Sequence, residues 1–158
     1  MGADDWELLR DLRLQALRES PKAFLGDPEA EGKWQEADWR RELEMYAWFL
    51  ATAGDKTVGI AKLNHTAPPE DGMHLEAMWV DPHARRGGVG ARLVAAVETT
   101  AAAMGAQRLR LWVFAGDNPR VPDFYLGLGY AASGRTQRID VVDRPTVETE
   151  FQKTLAMT

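Results

Sequence analysis

The sequence predicts one mixed α/β domain, and three observations carry that prediction. Stretches with helical spacing of apolar residues alternate with short apolar runs bounded by turn residues. A glycine-rich turn, His83 to Gly90, joins one such run to an amphipathic stretch, the arrangement of a strand feeding a crossover helix. The chain has 158 residues, close to the usual size of one domain, with no repeat, low-complexity segment or linker to divide it.

From the N-terminus, Trp6, Leu8, Leu9, Leu12, Leu14, Ala16 and Leu17 predict an amphipathic helix over Asp5 to Arg18, ended by Ser20-Pro21. After a loop through Gly26-Asp27-Pro28, the stretch from Glu29 to Met45 reads as a second, covering helix, with Trp34, Trp39 and Leu43 on one face. Ala47 to Ala53 and Thr57 to Asn64 flank the turn signal Gly54-Asp55 and predict a hairpin. Prolines and a glycine make a loop of Thr66 to Gly72, and Met73 to Val80 is a third strand stopped by Asp81-Pro82.

Leu93, Val94, Val97 and Ala101 form the stripe of a helix over Gly90 to Met104, with Gly105 as its C-cap. Arg108 to Phe114 reads as a buried strand, which makes a βαβ unit with parallel strands. A short helix is expected from Pro122 to Leu128. Strands are expected at Tyr130 to Val142 and Val147 to Leu155, joined through Asp143-Arg144-Pro145.

Composition narrows the function classes. Hydrophobic residues make up 45% and charged residues 27%, as in a folded globular protein. A net charge of -5 argues against a nucleic-acid binder, which would carry a basic face. The absence of cysteine removes disulfides, cysteine zinc sites and a cysteine nucleophile. No stretch reaches the ~18 to 20 consecutive apolar residues of a membrane span. The opening MGADDWELLR lacks a signal-peptide layout, and Trp6 occupies the position where myristoylation needs Ser or Thr. A cytoplasmic protein without nucleic-acid or membrane partners is expected. His65, His74 and His83 have no metal-ligand spacing, and Ser133 has no nucleophile-elbow context, so neither a metal centre nor a serine hydrolase is expected.

The informative segment is Val80 to Ala91. Backbone N–H groups at a helix start lack intrahelical partners and carry partial positive charge, and glycines let that backbone approach an anion. Arg85 and Arg86 add formal charge, so the turn predicts a diphosphate site. The P-loop pattern fails because Ala91-Arg92 follows Gly90 where Lys and Ser or Thr are needed. The dinucleotide pattern fails at Leu93 and lacks an acid at the end of the next strand.

Arg85, Gly88 and Gly90 instead fill R-x-x-G-x-G, which resembles the pyrophosphate signature of the GNAT acetyltransferases. Met78-Trp79-Val80-Asp81-Pro82 upstream is similar to that family's fourth strand and its exit. Asn118 and the run Phe124-Tyr125-Leu126-Gly127-Leu128-Gly129-Tyr130 downstream resemble its Y-x-x-L-G-[FY] ending. The likeness runs from about Leu75 to Gly134; the N-terminal half agrees only in element order.

The resemblance implies the GNAT fold, a mixed and mostly antiparallel sheet flanked by helices, with a central parallel pair that splays apart. It implies acetyl-CoA as cosubstrate and transfer of the acetyl group to a primary amine on a small molecule or peptide. Pantetheine would lie along Met78, Trp79 and Val80. The pyrophosphate would lie at Arg86, Gly87, Gly88, Val89, Gly90 and Ala91, with Arg85 beside it, and Asn118 would bond the cofactor further on. Tyr125 is similar to the family's general acid. Homodimerisation, which many members show, stays open.

Glu76 and His74 stand two residues apart on one strand and so share a face; either is a candidate general base, directly or through water. Val113 occupies the fifth-strand position where some members carry a glutamate. Pro122 departs from the usual approach to the tyrosine helix and requires that helix to start near it. Trp6, Trp34, Trp39 and Trp48 read as core and lid packing near the acceptor. The rival reading is an acyl-CoA-binding sensor or partner-binding module without turnover, and a further one is a nucleotide enzyme using the same turn.

Overall fold

The computed structural model describes residues 1–19, 31–67, 72–85, 87–113, 120–141 and 144–155, with side chains omitted at 139–146. Helices α1 (Trp6–Glu19) and α2 (Glu36–Met45) precede strands β1 (Ala47–Ala53), β2 (Lys56–Asn64) and β3 (Met73–Val80). Helix α3 (Val89–Ala103), β4 (Arg108–Val113), α4 (Arg120–Gly127), β5 (Ala131–Val141) and β6 (Arg144–Thr154) follow. The strands form one sheet in the order β1-β2-β3-β4-β6-β5. Its neighbours are antiparallel except β3 and β4, which run parallel.

Each face of the sheet has its own core. On one, the α3 stripe of Leu93, Val94, Val97 and Ala101 packs on Leu63, Leu75, Leu109, Leu111 and Phe151. On the other, Leu9, Leu12 and Leu17 of α1 and Trp39 and Leu43 of α2 cover Trp48, Ile60 and Trp79. Residues 31–32 are helical, but residues 33–35 interrupt the stretch, and α2 begins only at Glu36. Trp34 lies before it and leans on Trp39 with ring centroids 4.8 Å apart, and the Gln35 N–H donates to Asp38 Oδ2 at 2.9 Å to close the first turn. Residues 20–30 lie outside the described part.

The last hairpin is tighter than expected. Pairing of β5 with β6 extends to Val141↔Arg144, so Arg144 and Pro145 belong to the strand and only residues 142–143 join the two. Pro145 is tolerated because β4 pairs with β6 only from Thr149 to Thr154, leaving that end of β6 with a partner on one side alone.

Two features of β3 shape the centre of the sheet. Lys62 pairs with Glu76 and Ile60 with Trp79, so Ala77 and Met78 together oppose Ala61: a β-bulge, with Ala77 at φ 54°. The extra residue reverses the alternation. Met73 and Leu75 before the bulge and Met78 and Val80 after it face α3, whereas Trp79 faces α1 and α2. At Gly59 on β2, an added Cβ would lie 2.9 Å from Leu93 Cδ1 and 3.0 Å from the Trp79 carbonyl. Gly59→Val is therefore expected to lower stability by about 1–3 kcal/mol in denaturant unfolding, since neither the backbone nor the helix can yield freely.

Candidate active site

The parallel pair is short. β3 meets β4 only at Met73↔Leu109 and His74↔Arg110. Beyond that, β3 stays with β2 as far as Val80 and β4 stays with β6 as far as Val113, so the two strands diverge into an opening. Strand edges facing such a gap carry N–H and C=O groups without a ladder partner, and an extended amide-bearing chain can pair with them.

At the wide end of the opening lies the glycine-rich turn. The Asp81 N–H donates to the Val58 carbonyl at 2.8 Å, and its side chain accepts from the His83 N–H at 2.9 Å and meets Lys56 Nζ at 3.4 Å. The His83 hydrogen bond, aided by Lys56, holds the Asp81 carboxyl below its ordinary pKa, so it stays charged and fixes the turn. Gly88 then adopts a left-handed φ of 77° as the N-cap of α3. The first N–H of α3 to close on the turn is Arg92, 3.1 Å from the Gly88 carbonyl. The N–H groups of Val89, Gly90 and Ala91 precede it and have no intrahelical acceptor. Fifteen residues of helix dipole stand behind them. Gly87 and Gly88 are exposed, and Arg85, also exposed, donates from Nε to the Val80 carbonyl at 3.0 Å, tying the turn to the end of β3. Arg86 and Asn118 lie outside the described residues.

Gly90 also makes room for a close approach. A Cβ there would sit 3.1 Å from the Phe124 ring and 3.4 Å from Met78 Cε, so α4 and the bulged strand each reach the start of α3. Pro122 falls within the first turn of α4, where it does not break the helix. Tyr125 of α4 is buried between Phe124 and Tyr130, with ring centroids 4.9 and 5.8 Å away in edge-on contacts. Burial raises the Tyr125 pKa and keeps its hydroxyl protonated. Tyr130 is tied down separately, its hydroxyl donating to Glu98 Oε2 at 2.8 Å.

His74 and Glu76 lie on the face of β3 turned toward α2, but they have different neighbours. Asn64 Nδ2 donates to Glu76 Oε1 at 3.4 Å, and Lys62 Nζ stands 3.6 Å from the same oxygen. Lys62 is held in turn by Glu42 at 2.6 Å and lies over the Tyr46 and Trp48 rings at 4.3 and 5.4 Å. His74 sits at the closed end of the opening with Nε2 4.0 Å from Glu150 Oε2. Desolvation by burial lowers the His74 pKa despite the carboxylates of Glu76 and Glu150, so the ring is neutral near pH 7.

Several of these residues escaped the sequence reading: Glu42 and Lys62, Arg110 and Glu150, and Asp81 as the organiser of the turn. Only Asp81 left a local signal, an aspartate two residues before the N–H that it accepts. Val113 packs into the α3-side core. Beside Lys62 a cavity of about 230 Å³ is lined by Arg13, Glu31, Trp34, Trp39, Glu42 and Trp48, so three of the four tryptophans border a space and Trp6 does not.

A parallel pair thus opens toward a bare helix N-terminus, against which the Phe124 ring of α4 packs. Residues 8–130 match the profile of the family described as the acetyltransferase (GNAT) family. The chain belongs to the GNAT acetyltransferase family and is an acetyltransferase, with acetyl-CoA as the cosubstrate of that chemistry. Solved structures share the fold. A ribosomal-protein-alanine N-acetyltransferase from Brucella melitensis is 22% identical with a TM-score of 0.73, covering 98% of this chain and 97% of that one. Aminoglycoside 6'-acetyltransferase type Ii is 22% identical with a TM-score of 0.72, covering 96% and 93%. An aminoglycoside 6'-N-acetyltransferase complexed with coenzyme A is 18% identical with a TM-score of 0.69, covering 96% and 93%. No curated protein matches the chain.

Proposed function

We propose that this chain transfers the acetyl group of acetyl-CoA to a primary amine by direct attack on the thioester, as a single cytoplasmic domain. The observation that carries the reading is the opening between β3 and β4, which ends at the αL Gly88 and the bare N–H groups of Val89, Gly90 and Ala91. In this reading the backbone of Met78, Trp79 and Val80 pairs with the pantetheine amides. The turn from Arg86 to Ala91 holds the pyrophosphate, Arg85 flanks it, and Asn118 adds a bond beyond β4. The bulge at Ala77 leaves strand N–H groups near Met78 outside the regular ladder with β2, where one can meet the negative charge that builds on the carbonyl oxygen.

Tyr125 supports the departure of the thiolate. An ordinary thiol has a pKa of ~8.5 and tyrosine ~10. Burial raises Tyr125 further, but the same dry surroundings raise the thiol as well. The hydroxyl therefore stays close enough in proton affinity to the sulfur to give it its proton as the thioester breaks, so that CoA leaves as the thiol. His74 or Glu76 takes the proton of the incoming ammonium. The acceptor amines named for the fold's neighbours, aminoglycosides and a ribosomal protein's alanine, agree with an ammonium meeting the carboxylates of Glu42 and Glu76 at the α2 side.

Calorimetric titration with acetyl-CoA, ATP and NAD tests the cosubstrate, and release of free CoA across an amine library tests turnover. Binding of acetyl-CoA alone with amine-dependent CoA release is the expected result. Binding without release for any amine would favour a sensor, and preference for ATP or NAD would overturn the reading.

A further inference from the structure

Glu150 on β6 is fully buried, yet only one of its two carboxylate oxygens accepts a hydrogen bond. Ser133 donates to Oε1 at 2.8 Å, while Oε2 is buried without a hydrogen bond. A buried anionic oxygen without a hydrogen bond is costly, so an arrangement that retains one needs a reason. Three cationic or ionisable groups face it. Arg135 Nη1 of β5 is 3.4 Å from Oε2 but 63% exposed, and Arg110 Nη1 of β4 is 3.9 Å from Oε1. His74 Nε2 of β3 is 4.0 Å from Oε2, too far for a hydrogen bond and close enough to feel the charge. Both arginines are permanently charged, so they answer the carboxylate equally before and after any proton moves. His74 alone among the three changes charge on gaining a proton.

We propose that Glu150 is a positioning residue for His74: its Oε2, which accepts no hydrogen bond, orients the imidazole and stabilises the imidazolium that forms when His74 takes the acceptor's proton. This rests on the acetyl-transfer reading and selects His74 over Glu76 as its base. With Nε2–H turned to Glu150, the lone pair on Nδ1 is left for the acceptor. The N–H bond of the ammonium breaks, its proton goes to Nδ1, and the electron pair stays on nitrogen to attack the thioester. Glu76 is less suited, because Lys62, itself held by Glu42 of α2, and Asn64 already engage its Oε1. The groups facing His74 are thus Glu76 from its own strand with Lys62 behind it, Arg110 from β4, Glu150 from β6 and Arg135 from β5. Ser133 fixes Glu150 from the far side.

Histidine NMR titration of the whole chain, with His74 assigned by the signal lost in His74→Gln, tests this without turnover. Removing the carboxylate's charge in Glu150→Gln is expected to lower the His74 pKa by about one unit, a tenfold change in proton affinity. The acidic limb of kcat should move down in pH with it, the plateau should fall about tenfold, and acetyl-CoA affinity should not change. Arg135→Gln, at an exposed position, should act in the opposite sense, raising the His74 pKa and moving the limb up; it carries the test if Glu150→Gln does not fold. An unmoved His74 pKa in both variants overturns the proposal. So does an acidic limb that survives in His74→Gln and disappears in Glu76→Gln. If no amine supports turnover yet the His74 shifts appear, the coupling stands and the acetyl-transfer reading has failed.

Discussion

Tyr125→Phe is expected to lower kcat by about 10²–10⁴-fold, the range for loss of a positioned proton donor, while leaving acetyl-CoA affinity within a factor of about two. The substitution deletes a single oxygen. Phenylalanine keeps the edge-on contacts with Phe124 and Tyr130, so the core around α4 has no reason to collapse. The unfolding midpoint should therefore stay near that of the parent, which separates a chemical loss from a folding one. Single-turnover and steady-state kinetics, with calorimetry on the same samples, make the comparison. Equal losses of binding and turnover would reduce Tyr125 to a packing residue. A parallel Tyr130→Phe change should act mainly on stability, because that hydroxyl is spent on Glu98, which Lys153 also meets at 3.0 Å.

The parts of the site legible in the sequence are those written in consecutive residues. Gly87-Gly88-Val89-Gly90 sits between an apolar run and a helical stripe, and local chemistry alone dictates a positive φ and a bare helix start there. The βαβ order likewise forces β3 and β4 to be parallel. What the sequence hides is set by pairing between distant segments. β6 enters the sheet between β4 and β5, and that insertion carries Glu150 to the His74 side of β4; nothing near either residue announces it. Arg110 and Glu150 read locally as the solvent-facing alternates of strands, whereas both are largely buried. The bulge at Ala77 is equally silent, since Met73 to Val80 is apolar enough to be a strand in either register and the extra residue shows only against β2. The interruption at residues 33–35 is silent as well, because Trp34 mimics helical spacing while packing from the break onto Trp39.

The second large effect is expected at Gly90, where the turn and α4 compete for the same space. Valine there would drive its side chain into Phe124 and Met78, which already stand 3.1 and 3.4 Å from where a Cβ would be. The Phe124 ring and the Met78 side chain must give way at the start of α3. That start carries the N–H groups that this reading assigns to acetyl-CoA. Strain of about 1–3 kcal/mol is typical for such overpacking. If it appears in the bound state, it corresponds to roughly fivefold to 150-fold weaker binding of acetyl-CoA. Gly134→Ala is the control. Unlike the helical Gly90, Gly134 has a positive φ, 94°, and a Cβ there meets nothing within 4 Å; it lies in β5, away from the turn. It should cost about 1 kcal/mol of stability and leave the acetyl-CoA dissociation constant unchanged. If calorimetry finds Gly90→Val binding acetyl-CoA as tightly as the parent, the turn is not the pyrophosphate site. The opening between β3 and β4 would then need another explanation. If binding fails in Gly90→Val and survives in Gly134→Ala, the loss follows from the closeness of Gly90 to Phe124 and Met78, and not from removing a glycine as such.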